Sequence, residues 1–315
     1  MNTMQSETRT LLAGEEESAL AYLRRRPLDN VLQLGLIADY GLEHPLCRGR
    51  FYGHFRAGQL AGVALIGHHV LLSGGPHAVM SFAQVARRHA DDIHLVLGAE
   101  SVAAGFARLF AGAPDQHPPC RVEEQLFYVL REVATDASAL DALRPAGAGE
   151  VDEVAEIHAR AHVEQTGIDP RALDPQGFRA RLERRIALGR VWVASDAHGI
   201  CFKTDVACQT ERIVYLEGVV TRADVRGRGL GATHLAGLCR RLLAHNEHVC
   251  LFVKAAERKT AAFYRRLGFR FRRRYRLIRF PQASAMSTSL VAESVGILPA
   301  MSAAARTEGC VITQA

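Results

Sequence analysis

At 315 residues and 34.5 kDa the chain is long enough for two domains of ordinary size and too long for a single small module. Its 48% hydrophobic and 23% charged content is that of a soluble globular protein, which excludes wholesale disorder, collagen and coiled coil. The formal net charge of +6 rests almost wholly on arginine, since lysine occurs only at 203, 254 and 259; an anionic ligand fits, but the sum alone does not argue for nucleic acid.

The first segment opens with EEESALAYLRRR and DNVLQLGLIADYGL, whose apolar spacing of three and four predicts two helices. In FYGHFRAGQLAGVALIGHHVLLSG two β-rich runs flank Ala57-Gly58-Gln59, a hairpin signal. A helix from Pro76 to Arg88 follows, then strand IHLVLG, helix SVAAGFARLF and strand EEQLFYVLREV. Periodicity lapses in TDASALDA, so the domains are set at 1–134 and 143–280 with a linker over 135–142. The second segment begins with a short strand LRPA, then helices EVDEVAEIHARAHVEQ and PQGFRARLERRIALG. VWVASDAHGICFKTDVAC reads as a hairpin turning at Asp196 to Gly199, and RIVYLEGVVT as a further strand. A helix from about Leu230 to His245, strand HVCLFVK, helix ERKTAAFYRRLGF ending at Gly268 and a strand pair over Arg270 to Phe280 complete it. The order of elements repeats that of the first segment and suggests an internal duplication. Residues 281–315, rich in Ala, Ser and Thr, read as a disordered or loosely attached tail.

The apolar runs Val63 to Ile66 and Val70 to Leu72 are far shorter than the ~18 residues of a membrane span. The first ten residues lack the pattern of a secretory signal, so the expected location is the cytoplasm. The seven cysteines form no C-x-x-C pair and are expected as reduced thiols packed in cores. His158 and His162, four apart beside Glu156, have helical metal-ligand spacing but no third ligand at a telling distance, and no metal is expected. The run Arg270, Arg272, Arg273, Arg274, Arg276, Arg279 alternates with Phe271, Tyr275 and Leu277; a half-exposed strand is the simplest account, and an anion or RNA surface the other.

Chemistry concentrates in Glu217 to Gly231, EGVVTRADVRGRGLG, where a strand delivers the chain through a short loop into a helix. In Arg226-Gly227-Arg228-Gly229-Leu230-Gly231 the glycines let backbone N–H groups approach a pyrophosphate, the helix start adds partial positive charge, and two arginines add whole charges. A Walker A loop is excluded because no Lys-Ser or Lys-Thr follows these glycines. A dinucleotide fingerprint fits poorly, since the strand ends about five residues too early.

Arg226-x-x-Gly229-x-Gly231, followed after a helix and a strand by AFYRRLGF, resembles the acetyl-CoA loop and succeeding segment of the GNAT N-acetyltransferase superfamily over residues 143–280. The region from about 15 to 280 looks like a two-domain bacterial subgroup in which a degenerate GNAT-like half precedes the active one. The resemblance implies an α/β (α+β) fold of two GNAT-like domains, each a mixed, mostly antiparallel sheet flanked by helices. It implies acetyl-CoA as cosubstrate and a primary amine, small molecule or protein lysine, as acceptor. Backbone groups at Val219 and Thr221 match the positions that bond the acetyl carbonyl and pantetheine, and the loop from Arg226 through Gly227, Arg228, Gly229 and Leu230 to Gly231 would hold pyrophosphate. Tyr264 matches the tyrosine that protonates the leaving thiolate. Glu217, two residues before Val219, is the candidate general base, with a salt-bridged carboxylate as the other reading; Tyr215 cannot serve as an ordinary base at neutral pH. Where the family has asparagines this chain has Lys254 and Glu257, the latter suited to a helix start. The competing class is a non-catalytic acyl-CoA-binding or nucleic-acid-binding module. In the first segment VLLSGGPHAVMSF has two glycines but no such loop, so one acetyl-CoA site is expected.

Overall fold

The computed structural model describes residues 6–112, 121–135, 142–167, 169–173 and 175–280. The first half runs through β1 (Ser6–Thr10), α1 (Glu16–Leu23), α2 (Val31–Tyr40), β2 (Gly49–Arg56), β3 (Gln59–Gly67), β4 (His69–Gly74), α3 (Pro76–Arg87), β5 (Leu95–Ala99), α4 (Glu100–Ala111) and β6 (Arg121–Leu130). The second repeats the plan with β7 (Arg144–Pro145), α5 (Val151–Thr166), the short α6 (Pro170–Leu173), α7 (Pro175–Ala187), β8 (Val191–Asp196), β9 (Gly199–Gln209), β10 (Ile213–Thr221), α8 (Leu230–Leu243), β11 (His248–Lys254), α9 (Arg258–Arg266) and β12 (Arg270–Arg279).

Three strands differ from the sequence expectation. The polar SETRT forms β1, which needs no apolar alternation because it lies at the edge of the sheet and pairs with β2 alone. The apolar run before Gly74 holds a third strand: the chain reverses around His68, and Leu71 of β4 comes opposite Leu65 of β3. Arg270 to Arg279 is one strand with a bulge between Phe271 and Arg273, where two strands were expected. The hairpin at Ala57-Gly58 forms as read, with both residues at positive φ, 48° and 75°. The linker core 136–141 and the tail 281–315 lie outside the described residues.

Sheet order shows how the halves are joined: β1-β2-β3-β4-β5-β12-β6-β11-β10-β9-β8-β7. β6, which ends the first half, pairs with β11 of the second, while β12, which ends the second, pairs with β5 of the first. Each half therefore lends its last strand to the other, and the two lent strands pair along their length, with Gln125 opposite Tyr275. The arginine run follows from this placement: Arg273 pairs with Asp29 at 3.1 Å, Arg276 with Glu100 at 2.8 Å and Arg274 with Glu124, all carboxylates of the first half.

In the second half α5 and α7 cover one sheet face through Val154, Ile157, Leu182 and Ile186 over Val191, Val193 and Val220. α8 covers the other with Leu235, Leu238 and Cys239. The described cysteines Cys47, Cys201, Cys208, Cys239 and Cys250 are buried free thiols, as expected. α2 of the first half reaches across to β9 at Gly35, where an added Cβ would lie 2.5 Å from the Cys208 Cβ. Gly35→Ala therefore overpacks the joint between the halves, and a loss of about 1–3 kcal/mol in urea unfolding is expected.

Candidate active site

The parallel strands β10 and β11 pair only over Ile213, Val214 and Tyr215 against His248, Val249 and Cys250, and beyond that point they diverge. On its other edge β10 carries a bulge. Glu217 faces Asp205 and Val220 faces Lys203, so three steps on β10 match two on β9, and Gly218 accommodates the excess at φ 60°. The bulge takes main-chain groups between Glu217 and Val220 out of the β9 ladder, on the same strand that separates from β11.

At the end of β10 the Thr221 carbonyl accepts a hydrogen bond from Arg226 Nε at 2.8 Å. This contact folds the loop back on its strand, so one face of the Arg226 guanidinium is committed to the loop itself. Arg222 fixes the loop from the other side, bonding Asp224 at 2.7 Å and Asp196 of the β8–β9 turn at 2.6 Å. Its hydrogen bond holds the Asp196 carboxyl down at about 2. Gly227 and Gly229 have φ of 79° and 82°, the left-handed region that glycine enters without strain, and an added Cβ at either meets nothing within 4 Å. Gly229 caps α8, and the first intrahelical bond comes from Thr233 N–H to the Gly229 carbonyl. The N–H groups of Leu230, Gly231 and Ala232 are thereby left without intrahelical acceptors at an open helix start. Gly231 is needed for another reason: a Cβ there would sit 2.6 Å from Thr221 Oγ1. Arg228 is exposed beside this opening.

The remaining expected residues fall into two environments. Glu257 caps α9, and Tyr264 on that helix is buried, its ring 5.2 Å from Phe263 and 5.5 Å from Phe269. Lys254, at the end of β11, pairs with Glu123 of the exchanged strand β6 at 3.5 Å, a partner that local sequence could not reveal. Glu217 is 4% exposed and sits in a cluster of buried charges. Arg185 of α7 approaches it at 2.8 Å and Asp205 at 3.3 Å; Lys203 donates to Asp205 at 2.6 Å and to His158 Nδ1 at 3.3 Å. Burial raises the Glu217 pKa above the ordinary carboxylate range, opposed by the Arg185 charge. Burial likewise drives the His158 pKa well down, with Lys203 adding to the effect, so His158 is neutral. Tyr215, buried on the same strand, has its hydroxyl pKa pushed well up by desolvation and stays protonated.

Sequence reading found Glu217 but missed Arg185, Lys203 and Asp205. In RARLERRIALG every arginine looks like a solvated helix face, and only the three-dimensional position of α7 separates Arg185 from Arg184. Among the described residues, no group of three or more His, Cys, Asp or Glu side chains could hold a metal ion, and His158 serves the charge cluster. No helix among them is long and apolar enough to cross a membrane.

The first half has its own splay. β4 and β5 pair only from His69 to Leu71 and Leu95 to Leu97, and a cavity of 80 Å³ lined by Leu71, Leu97 and Gln33 is also lined by Phe252 and Tyr275 from the second half. Its counterpart to the glycine loop is Gly74-Gly75-Pro76, and Pro76 removes an N–H from the helix start.

Residues 205–278, which run from Asp205 through the bulge, the loop and α9 into β12, match the FR47-like protein family model. No curated protein matches the chain. Several solved structures share the fold. A tandem GNAT protein from the clavulanic acid biosynthesis pathway is 15% identical, with a TM-score of 0.56 over 87% of this chain and 98% of that one. A GNAT-family acetyltransferase from Colwellia psychrerythraea is 11% identical, with a TM-score of 0.56 over 88% and 100%. A GCN5-related N-acetyltransferase from Sphaerobacter thermophilus is 15% identical, with a TM-score of 0.55 over 87% and 95%.

Proposed function

We propose, from the GNAT fold that both halves of this chain carry, that its second half transfers the acetyl group of acetyl-CoA directly to a primary amine in a ternary complex. The observation that carries the reading is the conjunction of splayed parallel strands, a β-bulge at Gly218 and an open, glycine-capped start of α8 at the end of the same strand. Free N–H groups at a helix start attract phosphate, and the absence of any side chain at Gly227 and Gly229 leaves room for it, so the residues present fit the cosubstrate. Acetyl-CoA supplies an activated thioester; the chain supplies position and proton traffic.

The acceptor enters as an ammonium and must lose a proton before its nitrogen can attack. Glu217, with its raised pKa, takes that proton. As the C–N bond forms and the C–S bond breaks, the sulfur receives a proton from the Tyr264 hydroxyl, and the second proton that the nitrogen gives up passes through solvent to the tyrosinate and restores it. Main-chain groups around Val219 and Thr221 orient the acetyl group, and the 227–232 backbone holds the pyrophosphate.

Thiol release by the full-length protein with acetyl-CoA and a panel of amines tests this reading. Glu217→Gln is expected to lower kcat/KM by about 10²–10⁴-fold, the range for general acid–base catalysis. Tyr264→Phe should lower kcat while acetyl-CoA affinity is unchanged, since its contribution arises only as the bond breaks. Failure of the wild-type protein both to bind acetyl-CoA and to release thiol overturns the assignment.

A further inference from the structure

Where β12 begins beside the end of β6, the two exchanged strands form a groove of 750 Å³ that Leu28 of the first half also lines. That volume falls in the ~300–1,000 Å³ range of small-molecule pockets. Among its described lining residues, three arginines, Arg131, Arg270 and Arg272, stand against one carboxylate, Glu132. All four are exposed, and so is the Phe271 ring, at 51%. That ring is anchored to the buried Tyr128 ring by a T-shaped contact at 6.1 Å.

The rest of the arginine run is neutralised by the fold. Arg273 pairs with Asp29, Arg274 with Glu124, Arg276 with Glu100 and Arg279 with Glu123. Arg270 and Arg272 make no ion pair among the described residues, and Glu132 in the same groove engages neither. The bulge places the second of them: Phe271 faces Tyr128 and Arg273 faces Phe127, so Arg272 is the extra residue, set outside the ladder. Pairing thus explains four of the six arginines of β12 and leaves two, flanking an exposed aromatic ring in one groove.

An aromatic platform among guanidinium groups suits a nucleotide, whose base stacks on the ring while its phosphate oxygens accept paired N–H donors. The single exposed ring offers one stacking place, whereas an RNA strand is held on successive platforms along a charged track. We propose that this groove binds one free purine nucleotide, a nucleoside di- or triphosphate, with its base on Phe271 and its phosphates on Arg270, Arg272 and Arg131. The site is separate from the cosubstrate loop. Val129 in the groove lies opposite Cys250, which lies opposite Tyr215, and from Tyr215 the strand runs ~20 Å to Thr221, where the loop begins. The assignment therefore stands independently of the acetyltransferase reading.

Calorimetric titration of ATP into the full-length protein, with acetyl-CoA present in excess so that the cosubstrate loop takes no ATP, tests the proposal. If acetyl-CoA does not bind, the titration reads the groove all the same. ATP is expected to bind with a Kd below about 1 mM. Phe271→Ala and Arg272→Gln, at exposed positions where the fold is not at stake, should each weaken it about tenfold, as expected for the loss of one base stack or one charged hydrogen-bonding partner. No binding in the wild type overturns the proposal, as does binding that both variants leave unchanged or that acetyl-CoA abolishes. Inorganic triphosphate that binds as tightly as ATP overturns it too, since stacking then contributes nothing. A short oligoadenylate that binds tenfold or more tightly than ATP replaces the free nucleotide with an RNA strand as the occupant, which also overturns it.

Discussion

Gly229→Asp is expected to abolish detectable acetyl-CoA binding, a loss of at least about 10²-fold in affinity, while leaving the protein folded. Two features decide the sign. The position is open, with nothing within 4 Å of an added Cβ, so the side chain fits sterically; but it enters at the start of α8, where the proposed phosphate site lies. A carboxylate there both occupies the anion position and repels the pyrophosphate. The φ of 82° makes the substitution cost about 1 kcal/mol of backbone strain, and aspartate tolerates the left-handed region better than most residues. Unchanged circular dichroism together with flat calorimetric titrations is the expected outcome. Binding that survives would remove this loop from the cosubstrate site.

Arg185→Leu is expected to destabilise the fold by about 3–5 kcal/mol, the cost of breaking a buried ion pair from one side. Glu217 and Asp205 both lose a partner, at 2.8 and 3.3 Å, while Lys203 still pairs with Asp205 at 2.6 Å. The loss should vary with pH in a definite direction. Glu217 already has a raised pKa in the folded protein, and removing Arg185 takes away the largest charge that opposes the rise. A carboxyl with a folded pKa above its unfolded value favours the folded state at low pH and loses that contribution as pH climbs through the folded pKa. The destabilisation measured by urea unfolding should therefore be larger at pH 8 than at pH 5. Adding Glu217→Leu to Arg185→Leu should recover part of the stability, whereas a charge pair that merely sits at a surface would give neither the pH trend nor the recovery.

Much of the architecture was legible because it is written locally. The amphipathic spacing of Pro76 to Arg87 and of Leu230 to Leu243, the Ala57-Gly58 turn and the glycine-rich entry to α8 each depend on a few consecutive residues. Pairing between distant strands is not written that way. EEQLFYVLREV and RFRRRYRLIR read correctly as β-rich, but nothing in either segment says which half it will join, since a strand's partner is set by the whole sheet. The arginines of β12 illustrate the difficulty: in sequence they form a charge run, and only the exchange places Asp29, Glu100 and Glu124 against them. The site divides the same way. The spacing of the glycines is enough to suggest the proposed anion loop, but Arg185 and Asp205 acquire meaning only when α7 is laid over β9 and β10.

The exchange also fixes an order of events during synthesis. When β6 has been made, its neighbour β11 does not yet exist, and β5 stands as an open edge because the strand that will cover it, Arg270–Arg279, is the last of the described strands to emerge. Throughout translation of the second half the first must wait with exposed ladder groups, the condition that invites pairing with the wrong chain. The last strand made is the one that closes the first sheet begun.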